Sequence, residues 1–494
     1  MNKLRLWRTM CFVCVVCAQA VIHSPAQTFK TLVPFKGTDG QHPNTPMVQG
    51  ADGNFYGTTV SGGGNEGQYY GVVFKVSPEG KLTAMYDFCD HRLPCPNGAT
   101  SYIGLVLTTN GNFYGTTQQG GAYCGHFGCG TLFEITREGK FTTLRSFTHK
   151  TASLYDFVPV SGGNFYGVTQ SQGKYDYGMF FKMTPAGKIA TLYSFCAQAN
   201  CADGIGPSGL MQAANGSFYG ATGGGANYGG TIFKMTPAGQ LTTLYSFCGQ
   251  PNCADGESPN GPVRDKGGNL YGTTASGGAN SAGCYPGGCG TIYKITSAGK
   301  FTTLYNFCAQ ANCVDGDLPY TLVEGTDGNF YGTTEAGGIS HSGCPAGCGT
   351  IYKITSAGKF TTLYSFCAQP NCADGYNPGA LVQGTDGSFY GATPDGGGGC
   401  ISQNCGTIFS LSVGLRPFVK TTPTSGKVGE DVTILGNNLT GTTSVTFNGT
   451  AATFTVVSGT EIKTTVPSGA TTGFVEVTTP KKTLKSNVVF RVTK

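Results

Sequence analysis

The chain has 494 residues, 80 of them glycine and only 12% charged, with a formal net charge of +5. That length allows two or more domains and a large core. Glycine without a three-residue period excludes collagen, regular apolar runs between the glycines exclude a disordered chain, and so small a positive balance excludes a nucleic-acid-binding footprint.

Residues 1–26 read as a secretory signal. Lys3, Arg5 and Arg8 form a basic head, Thr9 to Ile22 an apolar core, and Ser24-Pro25-Ala26 a small-residue cleavage site. The apolar run is short for a bilayer span, so no membrane span is expected after cleavage. Cleavage removes Cys11, Cys14 and Cys17 and leaves the mature chain near neutral.

The stretch GNFYGTT (Gly53 to Thr59) then recurs seven times, with its tyrosine at Tyr56, Tyr114, Tyr166, Tyr219, Tyr271, Tyr331 and Tyr390. A period in this range marks a repeat architecture. One unit holds four strand signals. Around Tyr331 they are LVEG (Leu322 to Gly325), NFYGTT (Asn329 to Thr334), GTIYKIT (Gly349 to Thr355) and KFTTLYSF (Lys359 to Phe366). Runs rich in Thr, Ile, Tyr and Phe between Asp-Gly and Ala-Gly turns predict a four-stranded antiparallel meander.

The third strand occurs seven times, beginning at Gly71, Gly130, Gly178, Gly230, Gly290, Gly349 and Gly406, but the fourth follows only the first six. The missing copy is TFKTLVPF, Thr28 to Phe35, at the opposite end of the chain. This circular offset predicts a seven-bladed β-propeller over residues 27–414, closed by an N-terminal strand; an open solenoid has no use for it. Phe55, Tyr56, Phe74, Tyr86, Phe88 and their counterparts are expected to fill the space between blades. Residues 415–494 lack the repeat and alternate as a small β-sandwich does.

The eighteen cysteines after the signal all fall in close pairs: Cys89/Cys95, Cys124/Cys129, Cys196/Cys201, Cys248/Cys253, Cys284/Cys289, Cys308/Cys313, Cys344/Cys348, Cys367/Cys372 and Cys400/Cys405. In a secreted chain these are expected to be nine local disulfides, each closing a loop of about six residues and worth ~2 kcal/mol. Zinc is the weaker reading, because structural zinc prefers C-x2-C knuckles matched with histidine. All nine pairs fall in loops on one face, those between strands two and three or those leading to the next unit. The other face has tight turns.

The repeat resembles the GloVer-type tandem repeat of secreted bacterial proteins with a choice of C-terminal anchors. The resemblance rests on YGTT (Tyr271–Thr274), GTIYK (Gly290–Lys294) and AGKFTTLYNF (Ala298–Phe307), and covers about residues 28–412. The tail is similar to an immunoglobulin-like IPT/TIG domain, through PTSGKVGEDVTILGNNL (Pro423–Leu439), VTFNGTAATF (Val445–Phe454) and VPSGATTGFVEVTT (Val466–Thr479). That resemblance implies a spacer or binding module outside cells.

The stapled face also repeats D-G-x-x-P, with Asp39, Asp203, Asp255, Asp315 and Asp374, and a degraded copy at Asn97. The favoured reading is a turn in which Asp caps its own backbone. The alternative is a ring of carboxylates, Asp203, Asp255, Asp315 and Asp374, holding calcium or a polar ligand. Tyr123, Tyr285, Tyr320 and Tyr376 on the same loops are candidates to stack on sugars. His42, His91, His126, His149 and His341 show no metal spacing, and no G-x-S-x-G elbow exists, so no catalytic residues are assigned. The expected function is a secreted or cell-surface binding protein that takes a glycan or protein ligand. A polysaccharide hydrolase or lyase using pairs such as Asp315 with Asp317 or Asp255 with Glu257, and a self-associating structural surface component, are the alternatives.

Overall fold

The computed structural model describes residues 27–493 apart from 44–45, 65–69, 90–94, 122–127, 149–153, 161, 214, 281–283, 285–287 and 400–404. The expected signal, residues 1–26, lies outside the described residues.

Residues 28–412 form seven small antiparallel sheets. In the first, Val48–Gln49, Phe55–Thr58, Val72–Val76 and Leu82–Asp87 pair in chain order. The other sheets repeat this meander, with one repeated tyrosine on each second strand. In two sheets the first strand is split: Glu257–Pro259 and Val263–Arg264 both pair with Leu270–Ser276, and Asp317–Pro319 and Val323–Glu324 both pair with Phe330–Ala336. Second and third strands are buried on both faces, which is why FYGT and TIYKI read as near-continuous apolar runs rather than alternating ones. The fourth strands are Thr-rich and only half-buried, as an outer edge requires.

The circular offset has a direct counterpart. Thr28–Pro34 pairs with Thr407–Ser412, from Thr28 opposite Ser412 to Pro34 opposite Thr407, and completes the last sheet. Its Phe29 stacks on Tyr364 of the preceding sheet at 3.7 Å. The same contact joins Phe141 to Tyr86 (3.8 Å), Phe301 to Tyr245 (3.9 Å) and Phe360 to Tyr305 (4.0 Å). A second series runs along the repeated tyrosines: Tyr56 on Phe113 (4.1 Å), Tyr271 on Phe330 (4.1 Å), Tyr331 on Phe389 (4.2 Å), and then Tyr390 back onto Phe55 of the first sheet (4.0 Å). The aromatic side chains are thus core between sheets, with Phe55, Tyr56, Phe74 and Phe88 all buried. Tyr56, Tyr331 and Tyr390 also donate their hydroxyls to Asp52, Asp327 and Asp386 of the adjoining tight turns.

The C-terminal region builds two four-stranded antiparallel sheets around one core that includes Val432, Ile434, Val445, Phe447, Ile462, Val477 and Phe490. It sits on the tight turns of the repeat region. Arg137 pairs with Glu461 at 2.9 Å, the Phe418 N–H donates to the Thr385 carbonyl, Asn437 donates to Thr385 Oγ1, and Leu435 joins the cluster of Tyr56 and Phe113. The turn face is therefore covered, at least in part, whereas the disulfide loops lie on the other.

Candidate functional site

Seven of the nine expected disulfides are formed among the described residues, each within its predicted local pair: Cys89–Cys95, Cys196–Cys201, Cys248–Cys253, Cys284–Cys289, Cys308–Cys313, Cys344–Cys348 and Cys367–Cys372. Cys129 and Cys405 are also disulfide-bonded. Their expected partners, Cys124 and Cys400, lie outside the described residues, as do Tyr123, Tyr285, His91, His126 and His149.

Four loops share one internal clamp. Asp203, Asp255, Asp315 and Asp374 are fully buried. Each carboxylate accepts the hydroxyl of a fourth-strand tyrosine, Tyr193, Tyr245, Tyr305 or Tyr364, at 2.7 to 2.8 Å. Each also accepts two backbone N–H groups from its own loop, as Asp315 does from Ala309 and Gln310. The following glycine has to be glycine: at Gly316 (φ +109°) a Cβ would lie 2.5 Å from Thr334. Asn97, the degraded copy, keeps the bond by donating to the Tyr86 hydroxyl. These contacts are those of the favoured turn, in which the aspartate caps its own loop, rather than of an open calcium or ligand ring. The carboxylate oxygens already hold three donors, and a cation would have to displace them. Tyr376 likewise is only 7% exposed and packs in the core with Phe366 and Leu381, so it presents no face to a sugar.

Tyr320 is placed differently. The inner ends of all seven sheets converge on a cavity of about 440 Å³, to which Pro46, Tyr102, Tyr155, Ser208, Asn260, Tyr320 and Ala380 each contribute from a different sheet. A second cavity of about 270 Å³ shares Tyr102 and Tyr320 and adds His42, Glu335, Asn377 and Asp395. Together they form a mouth on the disulfide side. Tyr102 is 46% exposed, and burial pushes the Tyr320 phenol up to about 12. A separate cavity of about 340 Å³ lies along the seam with the C-terminal region and does not reach these tyrosines.

The mouth is polar. His42 Nδ1 lies 3.0 Å from the Pro394 carbonyl and 3.5 Å from Asp395, whose carboxylate raises the imidazole above its ordinary value. Asn377 donates to the other oxygen of Asp395. In the wall, Asp156 accepts the Leu210 N–H at 2.7 Å, and burial pushes its carboxyl up to about 6. Asp317 lines neither cavity: it is 4% exposed with one carboxyl oxygen lacking a hydrogen-bond partner, and burial raises it to about 6 as well, with the Glu335 charge adding to the effect. An acid raised on folding binds its proton more tightly in the folded state. Its contribution to stability is present below the ordinary carboxyl range and lost as pH rises through about 6. We therefore expect Asp317→Asn to gain urea resistance relative to the parent as pH goes from about 4 to about 7, the difference developing near the raised value. A constant difference across that window would contradict the assignment.

Of the four tyrosines picked from the sequence, Tyr320 alone is placed at the mouth among the described residues. Tyr102, Tyr155, Asp156, Glu335 and the His42–Asp395 pair were missed as a site. Their common signal is that they break the repeat: Asp156 opens an inner strand, Glu335 falls near the end of a second strand, and the others lie in the loops beside such strands, where the other units carry different residues.

The chain matches the Gloeobacter/Verrucomicrobia repeat over residues 21–158, 155–409 and 285–466. No curated protein matches it. Among solved structures, a protein of unknown function from Bacteroides thetaiotaomicron is 12% identical, covering 78% of this chain and 76% of its own, with a TM-score of 0.40. The PQQ-bound aldose sugar dehydrogenase from Streptomyces coelicolor is 10% identical, covering 78% and 99%, with a TM-score of 0.39. Likenesses of that size bear on neither activity nor ligand. The repeat match spans most of the sequence, and with the recurring YGTT and GTIYK strands it identifies this chain as a member of the Gloeobacter/Verrucomicrobia repeat family.

Proposed function

We propose that this protein is a secreted or cell-surface glycan-binding protein. The seven sheets are the blades of a closed β-propeller over residues 27–414, and residues 415–494 are an immunoglobulin-like domain of IPT/TIG type that covers part of the turn face and acts as a spacer. A surface location is supported by the resemblance of its repeat to that of choice-of-anchor proteins. Local disulfides fit an oxidising compartment, and among the described residues no helix is long and apolar enough to cross a membrane.

The observation that carries this reading is the mouth itself. Tyr102, Tyr155 and Tyr320, from three sheets, line a cavity of about 440 Å³ on the side away from the C-terminal region. Tyrosine rings offer an apolar face to sugar C–H groups, and the neighbouring Asn260, Asn377 and carboxylates can pair with hydroxyls. The test is retention of the oxidised chain on a panel of soluble polysaccharides. Tyr102→Ala and Tyr320→Ala are each expected to weaken binding about tenfold or more, as loss of an aromatic anchor does. Tyr228→Ala, whose ring is 84% exposed and lines neither cavity, is expected to change nothing. Binding that survives both mouth substitutions would move the site elsewhere.

A second reading, a polysaccharide hydrolase or lyase, draws on Asp156, which lines the cavity and whose carboxyl, raised by burial to about 6, suits proton transfer near that pH. New reducing ends or unsaturated products in the same screen would favour it, and retention without cleavage would favour binding.

A further inference from the structure

Two of the seven sheets carry a cysteine pair in both of their disulfide-face loops, and in each the two pairs meet. Cys284–Cys289 lies between the strands Leu270–Ser276 and Thr291–Ile295, and Cys308–Cys313 follows Phe301–Asn306. Cys284 Sγ is 3.6 Å from Cys308 Sγ. The next sheet repeats the arrangement, with Cys344 Sγ 3.8 Å from Cys367 Sγ across the Cys344–Cys348 and Cys367–Cys372 pairs. In each set all four sulfurs lie within 4.8 Å of one another. Cys89–Cys95 and Cys196–Cys201 belong to no such set among the described residues, so stapling a loop does not require the convergence.

Four sulfurs so gathered have the dimensions of a tetrahedral thiolate site. Zinc–sulfur bonds of ~2.3 Å place the ligand atoms ~3.8 Å apart. Cys289 and Cys348 are fully buried and Cys344 and Cys372 nearly so, which shields the set from competing water. The loops also have ties other than their disulfides. The Asp315 clamp fixes Cys308 and Cys313, and Asn280 donates across to the Phe307 carbonyl at 2.8 Å. In the second set, the Asp374 clamp fixes Cys367 and Cys372, and the Asn377 N–H donates to the Cys348 carbonyl.

We propose that each set is a redox-masked tetracysteine site for a soft divalent cation, zinc above all. In the oxidised chain the eight sulfurs are four disulfides and hold no metal. A dithiol reductant supplies two electrons and two protons to each disulfide and leaves as its own cyclic disulfide. The four thiols of a set then release four protons on binding one Zn²⁺ as four thiolates. This proposal does not depend on the glycan reading, since neither set contributes to the tyrosine cavity.

The test is metal titration of the full chain after anaerobic reduction, using Co²⁺ as the spectroscopic probe and Zn²⁺ to displace it. Thiolate-to-cobalt charge transfer and tetrahedral ligand-field bands should saturate at two equivalents. Cys308→Ser should leave one, Cys308→Ser with Cys367→Ser none, and Cys196→Ser two. Should the reduced chain lose its strand signal in circular dichroism, zinc should restore it in the parent and not in the double variant. The absence of thiolate-cobalt bands, a stoichiometry that ignores Cys308→Ser and Cys367→Ser, or failure of zinc both to bind and to restore the strand signal would overturn the proposal.

Discussion

Deleting residues 27–35 is expected to unfold the repeat region rather than trim it. Thr28–Pro34 is the fourth strand of the last sheet, and without it Thr407–Ser412 becomes a bare edge. The loss also uncovers Tyr364, on which Phe29 stacks, and removes Phe35, which is fully buried against Phe74 of the first sheet. Phe35→Ala alone should cost about 3–5 kcal/mol, the usual range for a buried Phe truncated to a cavity. Deletion removes Phe29, Val33 and Phe35 together with a whole ladder of hydrogen bonds, more than the usual 5–15 kcal/mol stability of a domain is expected to absorb. Urea unfolding followed by circular dichroism measures both. A peptide of residues 27–36 added in trans should restore part of the lost structure, since the pairing does not require covalent continuity. A truncated chain with an unchanged midpoint would mean that the strand is an ornament and the sheets do not depend on it.

The second large effect is expected at the loop clamps. In Asp315→Ala or Asp374→Ala, a tyrosine hydroxyl and two backbone N–H groups lose a buried carboxylate. Hydrogen bonds to a charged acceptor are worth about 1.5–3 kcal/mol each and are not additive, so a loss of about 3 kcal/mol is the central expectation. The neighbouring disulfide limits how far the loop can relax. Asp39→Ala should cost under about 1 kcal/mol, because Asp39 accepts the Lys36 N–H at an exposed turn and is not a buried clamp. Polysaccharide retention should be the same in Asp315→Ala as in the parent when measured well below the unfolding transition. The opposite pattern, normal stability with lost binding or calcium dependence, would return the aspartates to the ligand.

Much of this protein was legible because its information is local and repeated. A 52- to 60-residue spacing of YGTT, a fourth strand missing after Gly406 and present at Thr28, and cysteines four to six positions apart in sequence can each be read without knowing what lies across the fold. Local loops close on themselves, and a repeated unit states its strand pattern seven times. The Asp-Gly turn was legible for the same reason, since the Asp315 carboxylate reaches only as far as its own loop and the strand before it.

What the sequence did not contain is which side chains the sheets would bring to a common point. Tyr320 and Tyr376 follow the same repeated aspartate, yet one lines the mouth and the other is core, because Tyr320 stands at the inner end of its sheet and Tyr376 falls between the loop and its neighbours. His42 and Asp395 are more than 350 residues apart in sequence and meet only because the last sheet packs on the first. Cys284 and Cys308 converge across the two loops of a single sheet, and the tight turns are buried under Phe418 and Leu435 of the C-terminal region; neither contact is written in the spacing. Spacing along the chain determined the strands, the loops and their staples. The tertiary structure alone decided the site, because a site built from one residue per sheet has no period to read.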